Sequence, residues 1–339
     1  MELKEINNIV KQFIPNDEVI VFSKNNKGLI NQTFIVSVGK KDTKQFILQA
    51  VNSTVLPLYK KGLENIIVVK KSLLKSDFPY DFPTPIADRY ICIDGVIWRL
   101  FPFVAESICY KVVVDKNIAF EAAKCLGNFY KHLHNFDVKK LHITLPNFHS
   151  GIFRLAGLDK AINTANTDRL NHAKNLIKKI NSSRNILHKL DKLSAELPKR
   201  VVHFDAKINN FLFCKTTNKA KAIIDLDTLM PGTILSDIGD MIRTFSNRIG
   251  EESENIYEVK ADIEIIQNSI NGFLSSCKNI LTSKEKDNLL FSGEAMTLLQ
   301  CIRFLTDYLN NDSYYQADYS ERNFIRAKNQ WALYCSLNG

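Results

Sequence analysis

The sequence of 339 residues changes its hydrophobic pattern near Pro102, and this change constrains the fold more than any other feature. Before Pro102, short runs of β-prone apolar residues alternate with turn signals, among them Asp94-Gly95. After Pro102, apolar residues mostly recur every three or four positions, which is typical of one face of a helix. Strands followed by helices predict an α+β fold in two lobes, a small antiparallel-sheet lobe over residues 1–101 and a large, mostly helical lobe over residues 102–339.

Periodicity and turn residues also give the predicted bounds of the elements. In the first lobe we predict strands at residues 18–22, 33–38, 45–51, 90–93 and 96–101, and helices at residues 2–14 and 58–75. In the second lobe we predict helices within residues 117–135, 152–195, 256–275, 284–309 and 320–337, and strand-like runs at residues 211–213 and 222–226.

The composition is that of an ordinary globular chain, with 45% hydrophobic and 24% charged residues, and this excludes a disordered protein. The seven cysteines are dispersed and form no Cys-x-x-Cys pair, so we predict reduced thiols rather than disulfides or a zinc site. The charged start of the chain lacks the apolar core of a signal peptide. Residues 95–114 are the most apolar long stretch, yet they contain three charged residues and are too polar to span a bilayer. We therefore predict a cytoplasmic protein.

The net charge of +9 is distributed unevenly. Residues 231–339 contain 10 Lys and Arg against 15 Asp and Glu, so the positive excess lies in residues 1–230. A basic surface can attract nucleic acids or phosphorylated ligands. The basic residues form neither an arm nor a stripe interleaved with aromatic residues. We therefore expect no nucleic-acid or membrane partner, and a monomer that acts on a small molecule.

The most informative motif is the run His203-x-Asp205-x-Lys207-x-x-Asn210, followed by Asp225 in a second apolar run. Phosphoryl transfer needs a carboxylate to orient the attacking hydroxyl, and an amide oxygen with a further carboxylate to hold Mg²⁺ on the phosphates. Asp205, Asn210 and Asp225 supply these groups in that order. Lys207 would lie beside the transferred phosphoryl group and offset its negative charge. A lone Asp before a strand is usually a cap, but four typed positions at fixed spacing rarely arise by chance.

This run resembles the catalytic loop of the protein-kinase-like fold, and Asp225 resembles the second magnesium aspartate of that fold. The small-molecule branch, with the aminoglycoside phosphotransferases and choline kinases, fits best. In protein kinases the magnesium aspartate begins an Asp-Phe-Gly motif, whereas here Asp225 is followed by Leu226-Asp227 and no glycine. The resemblance therefore implies a bilobal kinase for a small molecule, with ATP as the donor and Mg²⁺ as the cofactor.

A closer resemblance, to the N-acetylhexosamine 1-kinases, extends over most of the chain. It is carried by residues 28–34, 46–52, 64–65, 98–103, 146–149, 224–232, 237–243 and 303–309. Those enzymes transfer the γ-phosphate of ATP to the anomeric hydroxyl of N-acetylglucosamine or N-acetylgalactosamine, and the resemblance implies the same reaction here. Two positions depart from the family pattern: Leu29 stands where a histidine is usual, and Ala50 stands where a basic residue is common. If that histidine shapes the acyl pocket, the sugar specificity has shifted.

The resemblance also assigns a nucleotide site to the first lobe. Gly28 and Asn31 lie in a turn whose backbone N–H groups would cover the ATP phosphates, unless the turn is an ordinary hairpin connection. Gln49 occupies the place where protein kinases have a phosphate-binding lysine. Glu64 on the following helix would pair with a residue of the phosphate site, or be solvated like most helical glutamates. The adenine-binding hinge would contribute Leu100, Phe101 and Phe103.

The acceptor site is assigned to the second lobe. Arg303 and Asp307 are four residues apart on a predicted helix and therefore lie on one face of it. The resemblance favours contacts from both residues to sugar hydroxyls, and the alternative is an exposed ion pair. Asp227 is assigned to the substrate side as well, where it would bind a second metal or steady Lys207.

Two other functions stay open. An aminoglycoside or amino-alcohol (choline-type) phosphotransferase would take a cationic acceptor, and the acidic run Glu251-Glu252-Ser253-Glu254 suits such a substrate. An acidic run is, however, more often a solvated loop. A non-catalytic pseudokinase would bind nucleotide without turnover, but the presence of every expected base and metal residue argues against it.

Overall fold

The N-terminal lobe contains strands β1 (Val19–Asn25), β2 (Gln32–Val38), β3 (Lys44–Val51), β4 (Ile91–Ile93) and β5 (Val96–Pro102). In the computed structural model, which describes residues 1–25, 31–39, 43–315 and 317–339, these strands form one antiparallel sheet in the order β1-β2-β3-β5-β4. The predicted hairpin at Asp94-Gly95 joins β4 and β5. Both residues adopt the positive φ that such a turn requires.

Helix α1 (Leu3–Lys11) covers one face of this sheet. Ile6 and Val10 of α1 belong to one apolar cluster with Val36, Leu48 and Leu100 of the sheet, and all five side chains are buried. Successive residues of a strand point to opposite faces. Residues 49, 99 and 101 therefore lie on the other face of the sheet from Leu48 and Leu100.

The second helix of the N-terminal lobe is α2 (Tyr59–Lys75). The C-terminal lobe is mostly helical. Its helices are α3 (Lys116–His132), α4 (Gly151–Thr164), α5 (Thr167–Asn181), α6 (Arg184–Glu196), α7 (Ile234–Ser246), α8 (Ile263–Cys277), α9 (Ser283–Asp287), α10 (Leu289–Leu309) and α11 (Arg322–Asn338). Glycines allow α7 and α10 to pack closely. A Cβ on Gly239 would lie 2.3 Å from Cγ of Met296, and one on Gly293 would lie 2.4 Å from Cγ2 of Ile242.

Short strands frame the motif residues in the C-terminal lobe. They are β6 (Ser107–Cys109), β7 (Arg200–Val202), β8 (Phe211–Cys214), β9 (Ala220–Ile223) and β10 (Met230–Gly232), paired as β6-β8-β9 and β7-β10. The segment 203–210 connects β7 to β8, and the segment 224–229 connects β9 to β10. Both motif segments are thus held at each end by paired strands.

The α+β prediction of a small antiparallel sheet followed by a helical lobe is confirmed. Some predicted bounds are wrong. The helix predicted from residue 256 begins at Ile263, because the side chain of Asp262 caps it by accepting from the N–H of Ile265. The helices predicted within residues 152–195 number three. Three residues are too few to show a period, so β6, β7 and β10 were not predicted, whereas the equally short β4 was indicated by the Asp94-Gly95 turn beside it.

No helix in the described part of the chain is both long and apolar enough to cross a membrane.

Candidate active site

The segment between β7 and β8 brings Asp205, Lys207 and Asn210 together. The Lys207 Nζ lies 2.8 Å from Oδ2 of Asp205. The Asn210 Nδ2 donates to the same oxygen at 2.8 Å and to the main-chain oxygen of Asp205 at 2.7 Å. These contacts orient Asp205 through Oδ2 and leave Oδ1 for an acceptor hydroxyl.

Asp237, in the first turn of α7, holds this segment through hydrogen bonds. Its carboxylate accepts the N–H groups of His203 at 3.0 Å and Phe204 at 2.7 Å, and the hydroxyl of Tyr130 at 2.8 Å. Phe204 has φ 65°, a left-handed conformation that is uncommon for a bulky residue. The two charge-assisted bonds to Asp237 hold the backbone in this conformation, one residue before Asp205.

The segment after β9 lies against the same loop. The N–H of Ile224 donates to the main-chain oxygen of Asn210 at 3.0 Å, and His203 Nε2 lies 2.9 Å from the main-chain oxygen of Ile224. His203 Nδ1 accepts the N–H of Asp205, so Nε2 carries the proton. Asp225 follows in a left-handed conformation, with φ 62°. These bonds connect the parts of the chain that contain Asp205 and Asp225.

The pKa values of Asp205 and Asp225 are shifted in opposite directions. Burial works to raise the pKa of Asp205, but the charge and hydrogen bond of Lys207 hold it below its ordinary value. Asp205 is therefore ionised and suited to orient a hydroxyl. Burial, together with Asp227 and Asp205, raises the pKa of Asp225 to about 6. A cation bound beside Asp225 would relieve this concentration of negative charge.

Asp227 contacts the N-terminal lobe rather than Lys207, contrary to one of the roles expected for it. It forms a two-point ion pair with Arg99 of β5, in which Arg99 Nη2 lies 2.7 Å from Oδ2 and Nη1 contacts Oδ1. Asn31 Nδ2 donates to Oδ2 of Asp227 at 3.1 Å, and Asn31 Oδ1 accepts the N–H of Asn52 at 3.0 Å. In this structure Asp227 thus joins the two lobes.

The other predicted residues of the first lobe fall in different places. Gly28 lies outside the described residues. Gln49 on β3 donates to Thr33 Oγ1 at 3.0 Å and accepts from Arg99 Nε at 2.9 Å. It therefore lies, as expected of its position, on the face of the sheet where Arg99 contacts Asp227 of the other lobe. We call this face, opposite the α1 side, the cleft side.

Glu64 of α2 does not face the cleft. It lies at the surface, where Oε2 is 2.8 Å from Nε2 of His142. The next residue, Asn65, is the buried one, with Nδ2 donating to the main-chain oxygens of His142 at 2.8 Å and Leu229 at 2.9 Å. Each step along a helix rotates the side chain by about 100°, so Glu64 and Asn65 point in different directions. The exposed position of Glu64 agrees with the solvated alternative, and its pairing within a phosphate site stays a prediction.

The predicted hinge residues separate into a core residue and two cleft-side residues. Leu100 is buried in the sheet core, and the Phe101 ring lies 5.0 Å from the guanidinium carbon of Arg99. The N–H of Phe103 donates to the main-chain oxygen of Gln45 at 3.3 Å, so it continues the sheet. Phe103 also lines a groove of about 520 Å³ with residues 81–88, and none of the motif residues lines it. Contact of Leu100, Phe101 and Phe103 with a nucleotide base stays a prediction.

Arg303 and Asp307 of α10 do not pair with each other. Arg303 Nη1 donates to Gln300 Oε1 at 3.0 Å, and its guanidinium lies 4.8 Å from the Phe148 ring centre. Asp307 is only 4% exposed and accepts the N–H groups of Tyr314 and Tyr315 at 2.8 Å each. Asp307 therefore holds the turn after α10, and contact of either residue with an acceptor stays a prediction.

Comparison with known families decides the class of this site. The family model of the phosphotransferase enzyme family matches residues 21–261, which is more than half of the chain. The chain belongs to the phosphotransferase enzyme family.

Solved structures agree with the fold of this phosphotransferase. The GDP complex of aminoglycoside 2′-phosphotransferase-IIIa has a TM-score of 0.64 at 12% identity, over 98% of this chain and 99% of that chain. Ethanolamine kinase of Plasmodium vivax gives 0.60 at 14%, over 97% and 86%. Choline kinase of Cryptosporidium parvum gives 0.56 at 16%, over 97% and 94%. At these identities the likeness shows the fold, which is kinase-like.

The oxygen atoms beside Asp225 in this phosphotransferase suit Mg²⁺. Asn210 uses Nδ2 on Asp205, so its Oδ1 is the atom that would be left to bind a metal together with the Asp225 carboxylate. Within the described ranges no three His, Cys, Asp or Glu side chains converge on one point, so the protein alone supplies only part of a coordination shell. Mg²⁺ commonly binds one or two carboxylates together with phosphate oxygens and water. Bound here, it would neutralise negative charge on the phosphates.

Sequence reasoning missed three residues that position this site: Asp237, Arg99 and Asn65. Arg99 is a polar residue between the apolar Trp98 and Leu100, and Asn65 and Asp237 each directly precede an isoleucine. A polar side chain at such a position is buried only when it has partners. That signal was present in the sequence, although it did not name the partners.

Proposed function

We propose that this phosphotransferase transfers the γ-phosphate of ATP to the anomeric hydroxyl of an N-acetylhexosamine, N-acetylglucosamine or N-acetylgalactosamine. The observation that carries the proposal is the character of the region beside Phe204 and Asp205. It contains Arg154 and Arg303, aromatic rings and a neutral histidine, and neither arginine forms an ion pair with a carboxylate of the described residues. A neutral polyhydroxy acceptor fits such a region better than a cationic one.

Arg154 and Arg303 supply the positive charge. Arg154 donates to the main-chain oxygen of Phe148 through Nη2 at 2.7 Å and Nε at 3.2 Å. Burial and the charge of Arg303 lower the pKa of Arg154 to about 10. Arg154 nevertheless stays charged at neutral pH. Two arginines close enough to affect each other's charge would repel the ammonium groups of an aminoglycoside or the quaternary nitrogen of choline.

His149 supplies a neutral polar group. Burial, with Arg303 and Arg154, holds the pKa of His149 well below its ordinary value. Its Nδ1 is buried and has no hydrogen-bond partner in the described structure. Leaving such an atom unpaired costs about 1–3 kcal/mol, which a sugar hydroxyl or acetamido group would recover. The centre of the His149 ring lies 5.3 Å from the centre of the Phe204 ring, and Phe204 directly precedes Asp205 in the chain.

Two of the three glutamates in the acidic run that suggested a cationic acceptor are paired with arginines of the protein. Glu251 Oε2 lies 2.6 Å from Nη1 of Arg243, and Glu251 Oε1 lies 2.8 Å from Nη2 of Arg326. Glu252 pairs with Arg322 at 3.1 Å and with Arg326 at 3.2 Å. These carboxylates are engaged with arginines and are not aimed at an acceptor, which weakens the aminoglycoside and amino-alcohol alternative.

In the proposed step, Asp205 Oδ1 accepts the hydrogen bond of the attacking hydroxyl and takes its proton as the phosphorus–oxygen bond forms. Lys207 offsets the charge that develops on the transferred group. ADP leaves with the electrons of the broken bond between the γ-phosphorus and the bridging oxygen. Mg²⁺ held by Asn210 and Asp225 would supply charge neutralisation on the phosphates. A cytoplasmic location and a monomeric state remain predictions.

An acceptor panel tests the proposal. Purified protein with ATP and Mg²⁺ is assayed for ADP production with N-acetylglucosamine, N-acetylgalactosamine, glucose, galactose, choline, ethanolamine and kanamycin, and Asp205→Asn serves as the inactive control. We expect turnover with the N-acetylhexosamines, and phosphorus NMR of the product should show a sugar 1-phosphate. Turnover only with kanamycin or choline, or a 6-phosphate product, would reject the sugar 1-kinase. An absence of turnover with any acceptor would favour the pseudokinase.

A further inference from the structure

Arg99 is a buried cation on the cleft side of the N-terminal sheet. It is 2% exposed, and its register partner on β3 is Gln49. The described strands of this sheet contain two other basic residues, Lys24 and Lys44, and both are exposed. The neutral Gln49 stands where the resemblance to kinases calls for a phosphate-binding lysine, so the positive charge on this face comes from the next strand.

Four of the five N–H donors of Arg99 have partners among the described residues. Nε donates to Gln49 Oε1 at 2.9 Å, Nη1 donates to Tyr90 Oη at 3.0 Å and to Asp227, and Nη2 donates to Asp227 Oδ2 at 2.7 Å. A guanidinium has five N–H donors. The second N–H of Nη2 has no partner among the residues that the structure describes. Gln49 and Tyr90 therefore fix the plane of the guanidinium, and its Nη edge faces Asp227.

This edge lies beside the metal site. Asp227 follows Asp225 by two residues, so their Cα atoms are at most about 7 Å apart. A nucleotide whose phosphates share a metal with Asp225 would place phosphate oxygens close to the Nη edge. The planar fork of an arginine matches phosphate oxygens as well as carboxylate oxygens.

We propose that Arg99 is the phosphate-binding cation of the N-terminal lobe, with Asp227 as its counterion when nucleotide is absent. The inference rests on the proposed use of a nucleotide at this site, but not on the identity of the acceptor. Nucleotide phosphates share the Nη edge of Arg99 with Asp227 or displace Asp227 from it. The competing explanation is that Arg99 serves only to hold Asp227 and join the lobes.

Calorimetric binding of ADP and adenosine separates these two roles, because adenosine occupies the base site without phosphates. The variants are Asp227→Asn, the double variant Arg99→Met with Asp227→Asn, and Arg99→Lys, each measured with and without Mg²⁺. The double variant removes both charges, so it leaves no unpaired buried carboxylate. Arg89→Met, at an exposed arginine of the same lobe, is the matched control. Thermal unfolding checks that each variant is folded.

We expect Asp227→Asn to bind metal-free ADP at least as tightly as the wild type, because Arg99 has lost a competitor. The double variant should bind ADP on the order of 10- to 100-fold more weakly than Asp227→Asn, with adenosine unchanged. Arg99→Lys, which keeps the charge but not the fork, should lie between them, and Arg89→Met should match the wild type. Equal ADP affinity in Asp227→Asn and the double variant would overturn the inference, as would an equal loss for ADP and adenosine. A wild type that binds ADP but phosphorylates no sugar would reject only the proposed acceptor.

Discussion

The ring of Phe204 occupies the space that a side chain at Gly232 would need. A Cβ on residue 232 would lie 2.4 Å from Cζ and 2.8 Å from Cε2 of that ring. Gly232 is in β10 and Phe204 directly follows β7 and His203, so the pairing of these two strands sets the distance. Because Phe204 precedes Asp205, the absence of a side chain at residue 232 determines where the proposed base lies.

Gly232→Ala should therefore disturb both stability and activity. Overpacking of this kind typically costs about 1–3 kcal/mol in the free energy of unfolding. We expect a lower midpoint of thermal unfolding and a lower kcat, because the Phe204 ring must move. Gly157→Ala is the matched control, since a Cβ on Gly157 of α4 meets no atom within 4 Å. That variant should be neutral or more stable by up to about 1 kcal/mol. Equal behaviour of the two variants would contradict this account.

Asp205→Ala should reduce kcat by about 100- to 10,000-fold, the usual contribution of a positioned general base. Binding of ADP, measured by calorimetry, should change little, since we propose that Asp205 contacts the acceptor and not the nucleotide. Asp205→Asn tests the same point with an isosteric side chain that cannot accept the proton. A purified, folded Asp205→Ala protein with the wild-type kcat would exclude Asp205 as the base.

Asp225→Asn should be almost inactive at any attainable ATP concentration, because it removes the charged ligand proposed for Mg²⁺. The wild type should lose activity in excess EDTA and regain it when Mg²⁺ or Mn²⁺ is added. Magnesium titrations of the rate, at fixed ATP, compare the two proteins. Undiminished turnover of the wild type in EDTA would show that the site works without a divalent cation.

Arg303→Ala should raise the KM of the sugar by roughly 5- to 150-fold and leave the KM of ATP nearly unchanged. The reason is that a sugar hydroxyl paired with the guanidinium would lose its partner in a buried site. Arg184→Ala, which removes a surface pair with Asp159, is the control and should change neither constant. A parallel rise in both KM values would indicate a structural role for Arg303.

Glu251 should contribute to the pH dependence of stability. Burial works to raise the pKa of its carboxyl, but Arg243 and Arg326 hold it well below the ordinary value of 4.5. Glu251 thus stays ionised in the folded protein when the unfolded chain has bound a proton. Its contribution is complete above about pH 4.5 and is lost as the pH falls through the folded-state pKa.

The free energy of unfolding of Glu251→Gln should therefore fall less steeply than that of the wild type between about pH 5 and about pH 3. Denaturant titrations at several pH values measure this slope. Glu258→Gln, at an exposed position, is the comparison and should keep the wild-type slope. If both variants behave like the wild type, the Glu251 pairs do not contribute to acid stability.

Short-range spacing was enough to select the residues that we propose to be catalytic. Asp205, Lys207 and Asn210 lie within six residues between two strands, so the loop that contains them necessarily brings them together. The left-handed backbone at Asp225 and its hydrogen-bonded connection to this loop were not visible in the sequence, but the apolar run before Asp225 was enough to predict its place. The order of strands and helices likewise follows from local periodicity, which reports the face that each element buries.

Tertiary structure decided which polar residues pair across the cleft. Asp227 was expected near a metal, Lys207 or the substrate, and the structure adds a partner that the sequence did not indicate, Arg99, 128 residues away. Glu64 and Asn65 are neighbours in sequence, and the orientation of α2 alone selects Asn65 for burial. Asp307 shares a helix face with Arg303, yet its carboxylate oxygens accept hydrogen bonds from backbone N–H groups in the turn after α10. Local sequence determines which residues an element can bury, whereas the partner of a buried charge depends on how distant elements pack, and one-dimensional spacing does not contain that information.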